Sequence, residues 1–457
     1  MKSFSILTLG CKVNQYESQQ IRELLERFGL TQVDVTASPE LVVVNTCCVT
    51  HTASAKSRQF LRQSCKHLPV AVVICGCLPA IETDELNVTG KNIHVVKDRC
   101  DLAPTLIGLL TDPSKTPNTP YPSLPNDKAI KPESDLKVKC KKDLCPPDEL
   151  QPLERFHGHT RAFLKVQDGC DAFCTYCIIP KTRPEVHSRE PDKVLAEAAE
   201  LAASGHQEIV VTGIHVGAYG QTTTRRRNWP SPVNSHLPAL LDRIAQVPGL
   251  ARIRLSSLDP SDVTPGLLDV FASNSNIMPH LHLSIQSGSD TVLRRMCRPY
   301  SRDEFLTKID LLHDRLDRPA VTTDIIVGFP GETDQDFEQT LNLAKRVRFA
   351  KMHVFAFSAR EGTAAAKMQD KVPYKVKKER SQILRDLDQE LQHRFKQQFL
   401  GETAQVLIES TAGHPSGRAE RYFLVQINDK ARTTRVNDLV NVRLTENAQN
   451  NMLALPA

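Results

Sequence analysis

The sequence contains no run of about 18 apolar residues, so we expect no membrane-spanning helix. Residues 1–10 mix polar with apolar side chains and lack the pattern of a secretory signal peptide. These two absences predict a cytoplasmic protein with no membrane partner. A strong charge imbalance is also missing: a net charge of +5 over 457 residues permits an anionic partner such as RNA without demanding one.

A fourth cysteine is missing from the densest group of cysteines. Cys170, Cys174 and Cys177 have the spacing C-x3-C-x2-C, and the next cysteine along the chain is Cys297. A closed zinc site needs four ligands, whereas an iron–sulfur cubane held by three thiolates keeps one iron open for a reactant. The spacing therefore predicts a catalytic iron–sulfur site. A zinc site or a purely structural site is the alternative.

The hydrophobic pattern divides the chain into four parts. Candidate strands at 5–9, 41–44, 71–74 and 93–96 alternate with helical segments and predict a parallel sheet in residues 1–111. Residues 112–155 are rich in proline and predict a linker, in which Cys140 and Cys145 are incidental thiols. A second alternating series, with candidate strands at 162–166, 208–212, 252–256, 280–285, 321–327 and 353–357, predicts a partial α/β barrel over 156–398. Short strands at 403–409, 422–427 and 439–444 predict a small all-β module over 399–457, which makes the fold class α/β with an all-β end.

Three cysteines of the first part follow three of its predicted strands. Cys11, Cys47 and Cys77 each come just after a strand, and the loops after neighbouring parallel strands converge on one crevice. We therefore expect the three thiols to meet. The alternative is that they are buried as small apolar side chains. Cys48 and Cys75 are close enough in the sequence to compete for the same role.

The barrel strands also end in small or polar residues. The Cys170–Cys177 motif follows the first strand, where the open iron of a cluster could bind the amino and carboxylate groups of S-adenosylmethionine (SAM). Candidate SAM-binding residues are Tyr176, Gly213, Ser256, Gln286 and Asp324. Ordinary turn and cap residues are the alternative for this set. The basic run at 225–229 ends in the only tryptophan and predicts either phosphate binding with base stacking or a solvated loop.

Residues 169–180 resemble the cluster motif of the radical-SAM methylthiotransferases. The resemblance extends over nearly the whole chain. Residues 9–18, 45–47 and 76–77 match the N-terminal domain of that family, residues 256–260, 286–290, 295–300 and 324–333 match its barrel, and residues 417–422 resemble a TRAM module, which binds RNA.

The resemblance implies two 4Fe–4S clusters and SAM as cofactors. Cys170, Cys174 and Cys177 would hold the cluster that cleaves SAM, and Cys11, Cys47 and Cys77 an auxiliary cluster that carries the sulfur to be transferred. Residues 9–15 look most like the branch that acts on N6-threonylcarbamoyladenosine at tRNA position 37. The alternatives are methylthiolation of N6-isopentenyladenosine or of a ribosomal-protein aspartate, and, outside enzymes, an RNA-binding protein with structural or redox-sensing clusters.

The same resemblance implies partners. The substrate would be the anticodon stem–loop of tRNA, whose unpaired bases a protein can splay out and stack. A reductant such as flavodoxin or ferredoxin would supply electrons, and we expect a monomer. Candidate phosphate contacts in the last module are Arg418, Arg421, Lys430, Arg432 and Arg435.

Overall fold

The computed structural model describes residues 1–67, 69–81, 92–111, 150–429, 434–448 and 451–457. The chain forms two compact units, the first from residues 1–48 and 52–152 and the second from residues 49–51 and 153–457. Most of the predicted linker, with Cys140 and Cys145, lies outside the described residues. No helix in the described ranges is long and apolar enough to cross a membrane. The domain limits given above stay predictions.

The first unit is built on a parallel sheet with the strand order β2-β1-β3-β4-β5. Its elements are β1 (Ser3–Thr8), α1 (Lys12–Arg27), β2 (Thr31–Gln32), β3 (Leu41–Thr46), α2 (His51–Lys66), β4 (Ala71–Gly76), β5 (Ile93–Val95) and α3 (Leu102–Thr111). The four predicted strands are confirmed. The edge strand β2 was not predicted, because both of its residues are exposed and carry no apolar pattern.

The barrel of the second unit consists of two four-stranded sheets, ordered β7-β6-β8-β9 and β10-β11-β12-β13. Its elements are β6 (Arg161–Asp168), α4 (Ile179–Thr182), β7 (His187–Ser188), α5 (Pro191–Ala203), β8 (Glu208–Gly213), α6 (His236–Ala245), β9 (Arg252–Leu255), β10 (Ser257–Leu258), α7 (Pro265–Ser273), β11 (His280–Leu283), α8 (Asp290–Arg295), α9 (Arg302–Arg315), β12 (Ala320–Val327), α10 (Asp334–Val347), β13 (Lys351–Ala356) and α11 (Tyr374–Gln397). All six predicted barrel strands are present. The two sheets divide at Ser256, between β9 and β10, and only β7 runs antiparallel to its neighbour.

The C-terminal module is a closed barrel with the strand order β14-β15-β16-β18-β17. Its strands are β14 (Thr403–Ser410), β15 (Ser416–Ala419), β16 (Leu424–Ile427), β17 (Leu439–Asn447) and β18 (Met452–Pro456). The all-β prediction is confirmed, and β15 and β18 are added to it. Phe395 and Phe399, at the end of α11, pack into the core of this module, which joins it to the barrel.

Two buried arginines of β9 fix the same module to the barrel sheet. Arg254 donates to the carbonyl oxygens of Ala419 and Glu420 at 2.8 and 2.7 Å. Its Nε also donates to Glu208 of β8 at 2.8 Å, so the buried charge has a carboxylate partner. Arg252 donates to the carbonyl oxygen of Arg418 at 3.0 Å. Within the second unit, the C-terminal module therefore has a defined position on the barrel.

Candidate active site

A cavity of about 470 Å³ lies in the second unit, and all three thiols of the C-x3-C-x2-C motif line it. Cys170 comes two residues after β6, and the turn between them requires Gly169. Gly169 has φ +76°, and a Cβ there would lie 1.6 Å from the carbonyl oxygen of Glu185. The backbone N–H of Cys170 donates to the carbonyl oxygen of Arg183 at 2.9 Å. The sequence-predicted cluster residues are thus brought together on one cavity wall.

The pKa values of the three thiols are shifted in different directions. Burial raises the pKa of Cys170, but a hydrogen bond and the positive charge of His215 outweigh it, so that this pKa is lowered overall. Burial raises the pKa of Cys174 in spite of the nearby Arg298 charge. Burial together with the Cys174 charge raises the pKa of Cys177 to about 12. Because iron binds thiolates, loading the site must displace protons from Cys174 and Cys177.

The donor set fits a cluster held by three thiolates, since the thiols share one cavity with two groups that can carry positive charge. Among the described residues, no three His, Cys, Asp or Glu side chains are arranged to hold a single metal ion. The fit therefore rests on the common cavity wall and on the neighbouring Arg298 and His215.

Arg298 is the principal site residue that the sequence did not predict. It donates to Cys174 Sγ at 3.2 Å, to Asp259 Oδ2 at 2.7 Å and to Tyr300 Oη at 2.8 Å. Burial would raise the pKa of Asp259, but the charges of Arg298 and His215 lower it overall. Both residues lie in segments whose family resemblance was noted, 295–300 and 256–260. The match of these two segments to the family is the sequence signal that could have singled out Arg298 and Asp259, but it does not show that Arg298 contacts a thiol of the cysteine motif.

The five candidate SAM residues are placed in two groups. Tyr176 and Gln286 line the cavity, and Gln286 has φ +71°, a left-handed conformation of the kind that is often found at functional sites. Gly213, Ser256 and Asp324 do not line the cavity, although the residue that follows Gly213 and the residue that follows Ser256 do. All five roles stay predictions.

Ser256 and Asp324 differ in whether they have hydrogen-bond partners. The hydroxyl of Ser256 is buried without a partner among the described residues. Asp324 accepts a hydrogen bond from Ser284, which lines the cavity, at 3.3 Å. Burial would raise the pKa of Asp324, but a hydrogen bond and the charge of His282 lower it overall. The hydroxyl of Ser256 is therefore unpaired but does not reach the cavity, whereas Asp324 is already paired.

In the first unit, Cys11, Cys47 and Cys77 follow the adjacent strands β1, β3 and β4. The backbone N–H of Cys77 donates to the carbonyl oxygen of Thr46 at 3.0 Å, which places the ends of β3 and β4 together. A Cβ built on Gly10 would lie 3.1 Å from the Cβ of Cys47, so the chain just before Cys11 passes close to Cys47. The three positions therefore converge on one edge of the sheet, as strand order predicts.

Cys75 is separated from this trio by its packing. Its side chain belongs to the hydrophobic core, with Val43 and Val73. Cys48 is buried at the edge itself, and its Sγ donates to the carbonyl oxygen of Cys77 at 3.4 Å. Of the two competing cysteines, Cys48 is thus the one that lies beside the trio.

Two asparagines that the sequence did not single out hold this edge together. Cys11 Sγ donates to Asn14 Oδ1 at 3.2 Å. The amide of Asn14 donates in turn to Asn45 Oδ1 at 3.1 Å and to the carbonyl oxygen of Thr46 at 3.0 Å. Buried amides with satisfied hydrogen bonds fix the loops that carry the thiols.

Two of the three described candidate phosphate contacts of the C-terminal module are paired with carboxylates of the protein. Arg418 lies 3.4 Å from Glu409, and Arg421 pairs with Asp317 at 3.0 Å. Lys430 and Arg432 lie outside the described residues. Arg435 is exposed, and its side chain has no partner in the described part of the chain. The RNA-binding roles of this group stay predictions.

Comparison with known proteins identifies the family. Residues 164–344 match the Radical SAM superfamily, and residues 3–97 match a family described as uncharacterized protein family UPF0004. The threonylcarbamoyladenosine tRNA methylthiotransferase MtaB of Chlamydia pneumoniae is 35% identical over 97% of this chain and 95% of its own length. The chain belongs to the radical-SAM methylthiotransferases. It is therefore an enzyme whose cofactors are SAM and 4Fe–4S clusters.

Two further relatives and one solved structure give the range of similarity. The MtaB protein of Bacillus subtilis is 36% identical over 90% of this chain and 85% of its own length. The tRNA-2-methylthio-N(6)-dimethylallyladenosine synthase of Pelotomaculum thermopropionicum is 31% identical over 91% and 89%. The radical SAM methyltransferase TsrM of Kitasatospora setae, solved with tryptophan and a SAM analogue, has a TM-score of 0.52 at 15% identity and covers 78% of this chain and 73% of its own. This last likeness shows the fold alone.

Proposed function

We propose that this enzyme adds a methylthio group to carbon 2 of N6-threonylcarbamoyladenosine at position 37 of tRNA. The observation that carries the proposal is the similarity to relatives named for that substrate, at 35 and 36% identity over nine-tenths or more of the chain. The dimethylallyladenosine synthase is less similar, at 31%. Methylthiolation of N6-isopentenyladenosine is therefore the second candidate, and the same assay separates the two.

We assign the six cysteines to two clusters, and their positions in the fold support this proposal. Cys170, Cys174 and Cys177 line the barrel cavity and would hold the cluster that binds and cleaves SAM. The edge formed by Cys11, Cys47 and Cys77 would hold the auxiliary cluster. When bound, the clusters supply the electron for SAM cleavage and the sulfur for transfer.

The protein's own residues would position the cofactor and balance its charge. Arg298 and His215 place hydrogen-bond donors beside the cluster thiols, where they stabilise negative charge in a partly enclosed cavity. Tyr176 and Gln286 present an aromatic ring and an amide on the same wall, where they would contact SAM. We further propose that the enzyme acts as a cytoplasmic monomer with a reductant such as flavodoxin or ferredoxin.

Nucleoside analysis tests the substrate. In a strain deleted for this gene, mass spectrometry of digested tRNA should show N6-threonylcarbamoyladenosine without its methylthio derivative. The wild-type gene should restore the derivative, and Cys174→Ala should not. Persistence of the derivative in the deletion strain would refute the substrate, and loss of the isopentenyladenosine derivative instead would support the second candidate.

The two cluster assignments are tested separately in vitro. Cys174→Ala should abolish formation of 5′-deoxyadenosine from SAM and reductant. Cys47→Ala should keep that reaction but yield no methylthiolated RNA, because the sulfur-carrying cluster is lost. Methylthiolated product from Cys47→Ala would remove the auxiliary assignment. RNA binding without any SAM cleavage by the wild-type protein would instead indicate a non-catalytic RNA-binding protein.

A further inference from the structure

We propose that Phe173, Arg225 and Arg227 form a docking site for one unpaired nucleotide of the RNA substrate at the cluster cavity. In this site Phe173 stacks against the base and Arg227 contacts a phosphate. The inference rests on the proposed function, since that function makes a single-stranded RNA loop the occupant.

Phe173 is an aromatic side chain in an unusual position. It lies between the cluster residues Cys170 and Cys174, lines the cavity and has 59% of its surface exposed. A large apolar side chain is normally buried, because its exposure to water costs free energy. An exposed ring at the wall of a ligand cavity is therefore a candidate contact for a flat ligand.

Arg225 fixes one side of this ring. Its guanidinium carbon lies 4.1 Å from the centre of the Phe173 ring, within the range of a cation–π contact. The Arg225 Nε lies 3.2 Å from a carboxylate oxygen of Asp171, which neutralises the charge. Asp171 also accepts hydrogen bonds from Thr223 and Thr224 at 2.6 Å each. The Phe173 ring and the Arg225 guanidinium above it are thus held in place before any ligand binds.

The three consecutive arginines, 225 to 227, differ in whether their charges are paired within the protein. Arg225 is paired with Asp171, and Arg226 is paired with Asp262 while lying over the ring of Trp229. Arg227 is exposed and lines the cavity, and it has no hydrogen bond or ion pair within the described part of the chain. Of the three, Arg227 therefore has a charge left for an anionic ligand.

The tryptophan of this run is not the stacking residue that the sequence offered. Trp229 is buried, and its Nε1 donates to the carbonyl oxygen of Thr223 at 2.7 Å. Its ring supports the loop from inside. The exposed ring is Phe173, which belongs to the cysteine motif and is brought to the arginine loop by Asp171.

An exposed ring with an unpaired arginine on the same cavity matches the chemistry of single-stranded RNA. A nucleotide offers a flat base to the ring and a phosphate to the arginine, and stacking of this kind tolerates any base. Stacking also requires an unpaired base, which a loop has and a duplex lacks. The adenine of SAM is the competing flat ligand, so the experiment measures both.

The experiment uses the full-length protein with its clusters reconstituted under anaerobic conditions. The RNA probe is a fluorescein-labelled anticodon stem–loop with N6-threonylcarbamoyladenosine at position 37, and a labelled duplex of the same stem serves as the control RNA. Affinity for each is measured by anisotropy at several salt concentrations, and affinity for SAM by equilibrium dialysis. The variants are Phe173→Leu, Phe173→Trp, Arg227→Gln and Arg227→Lys.

The two contacts predict different signatures. Phe173→Leu should weaken loop binding by about 5- to 150-fold at every salt concentration, while Phe173→Trp should retain it. Arg227→Gln should weaken binding most at low salt and reduce the slope of log K against log salt by about 0.7, the value for one phosphate of a single strand. Arg227→Lys should keep that slope.

Matched controls are exposed residues elsewhere. Phe28→Leu, at the end of α1, and Arg346→Gln, in α10, should leave RNA binding unchanged. Equal loss of duplex binding in Phe173→Leu, or loss of SAM binding with RNA binding intact, would overturn the proposal. If the wild-type protein binds RNA and the four variants match it, the docking site is refuted while the proposed function stands. If the wild-type protein binds no RNA, the proposed function fails as well.

Discussion

Replacement of Arg298 by methionine tests whether this buried arginine stabilises the cluster site. Only 10% of its side chain and 5% of that of Asp259 are exposed, so neither charge is compensated by water. The substitution keeps an unbranched apolar stem but removes the donors to Cys174, Asp259 and Tyr300. A cluster thiolate and a carboxylate then remain buried without their cation.

The size of the stability loss in Arg298→Met follows from the geometry of the buried pair. Two unit charges 3.2 Å apart, the distance from Arg298 to Cys174 Sγ, interact by about 5 kcal/mol at an effective dielectric constant near 20. Loss of one partner of a buried pair costs roughly 3–5 kcal/mol in measured cases. We therefore expect Arg298→Met to destabilise the cluster-loaded second unit by about 3–5 kcal/mol.

Anaerobic urea titration, followed by the visible absorption of the cluster, measures this loss. A destabilisation of 3 kcal/mol should lower the midpoint by about 1 M or more. The urea midpoint of Arg298→Lys should lie between those of the wild-type protein and Arg298→Met, because lysine keeps the charge but lacks the planar group that reaches several acceptors at once. The double variant Asp259→Asn/Arg298→Met should lose less unfolding free energy than the sum of the losses in the two single variants. An unchanged midpoint and full iron content in Arg298→Met would refute the reasoning.

Three further predictions concern the first unit and the C-terminal module. Gly76→Ala should lower both the melting temperature and the iron content. The residue has φ +92°, and a Cβ there would lie 2.4 Å from the Thr46 carbonyl oxygen and displace the end of β4. Normal iron content in this variant would contradict the prediction. Cys75→Ala should lower stability and keep all the iron, whereas Cys77→Ala should lose the auxiliary cluster, and colorimetric iron analysis distinguishes the two. Tyr422→Ala should destabilise the contact between the C-terminal module and the barrel by more than about 2 kcal/mol. The Tyr422 ring stacks on His280 at 4.5 Å and lies under the Arg254 guanidinium. An unchanged melting temperature in calorimetry would contradict that role.

The sequence predicted the strands whose hydrophobic pattern is long enough to read. The four strands of the first sheet are predicted from short apolar runs, and the six principal strands of the barrel from segments of five to seven residues in which apolar and polar side chains are mixed. Five strands were missed: β2, β7 and β10 have two residues each, β15 is a four-residue strand that contains a glycine, and β18 has five residues, Met452–Pro456. Such strands exist because a neighbour pairs with them, which a local pattern does not reveal.

The sequence predicts the part of the site whose chemistry is local. Three thiols within eight residues predict a ligand role, and the structure places all three on one cavity. Arg298 is 124 positions from the thiol it contacts, and only the fold brings the two together. Charge counting has a related limit, because it does not show which charges are paired within the protein. Arg418 and Arg421 look like phosphate contacts in the sequence, yet Glu409 and Asp317 pair with them in the structure. The sequence likewise offered Trp229 as a stacking residue, but Trp229 is buried, and the exposed aromatic ring at the cavity is Phe173.

Each cysteine trio is brought together within its own unit by a different physical route, and this difference predicts which substitutions each tolerates. The barrel trio lies on one loop, so its geometry depends on that loop's own turns and on Gly169, whose Cβ would collide with Glu185. The other trio comes from three separate strands, so its geometry depends on the register of β1, β3 and β4 and on the tight crossing at Gly76. A one-residue slip in a strand turns every side chain to the other face of the sheet. Strand substitutions in the first unit should therefore disturb the auxiliary site even where they lie far from any cysteine.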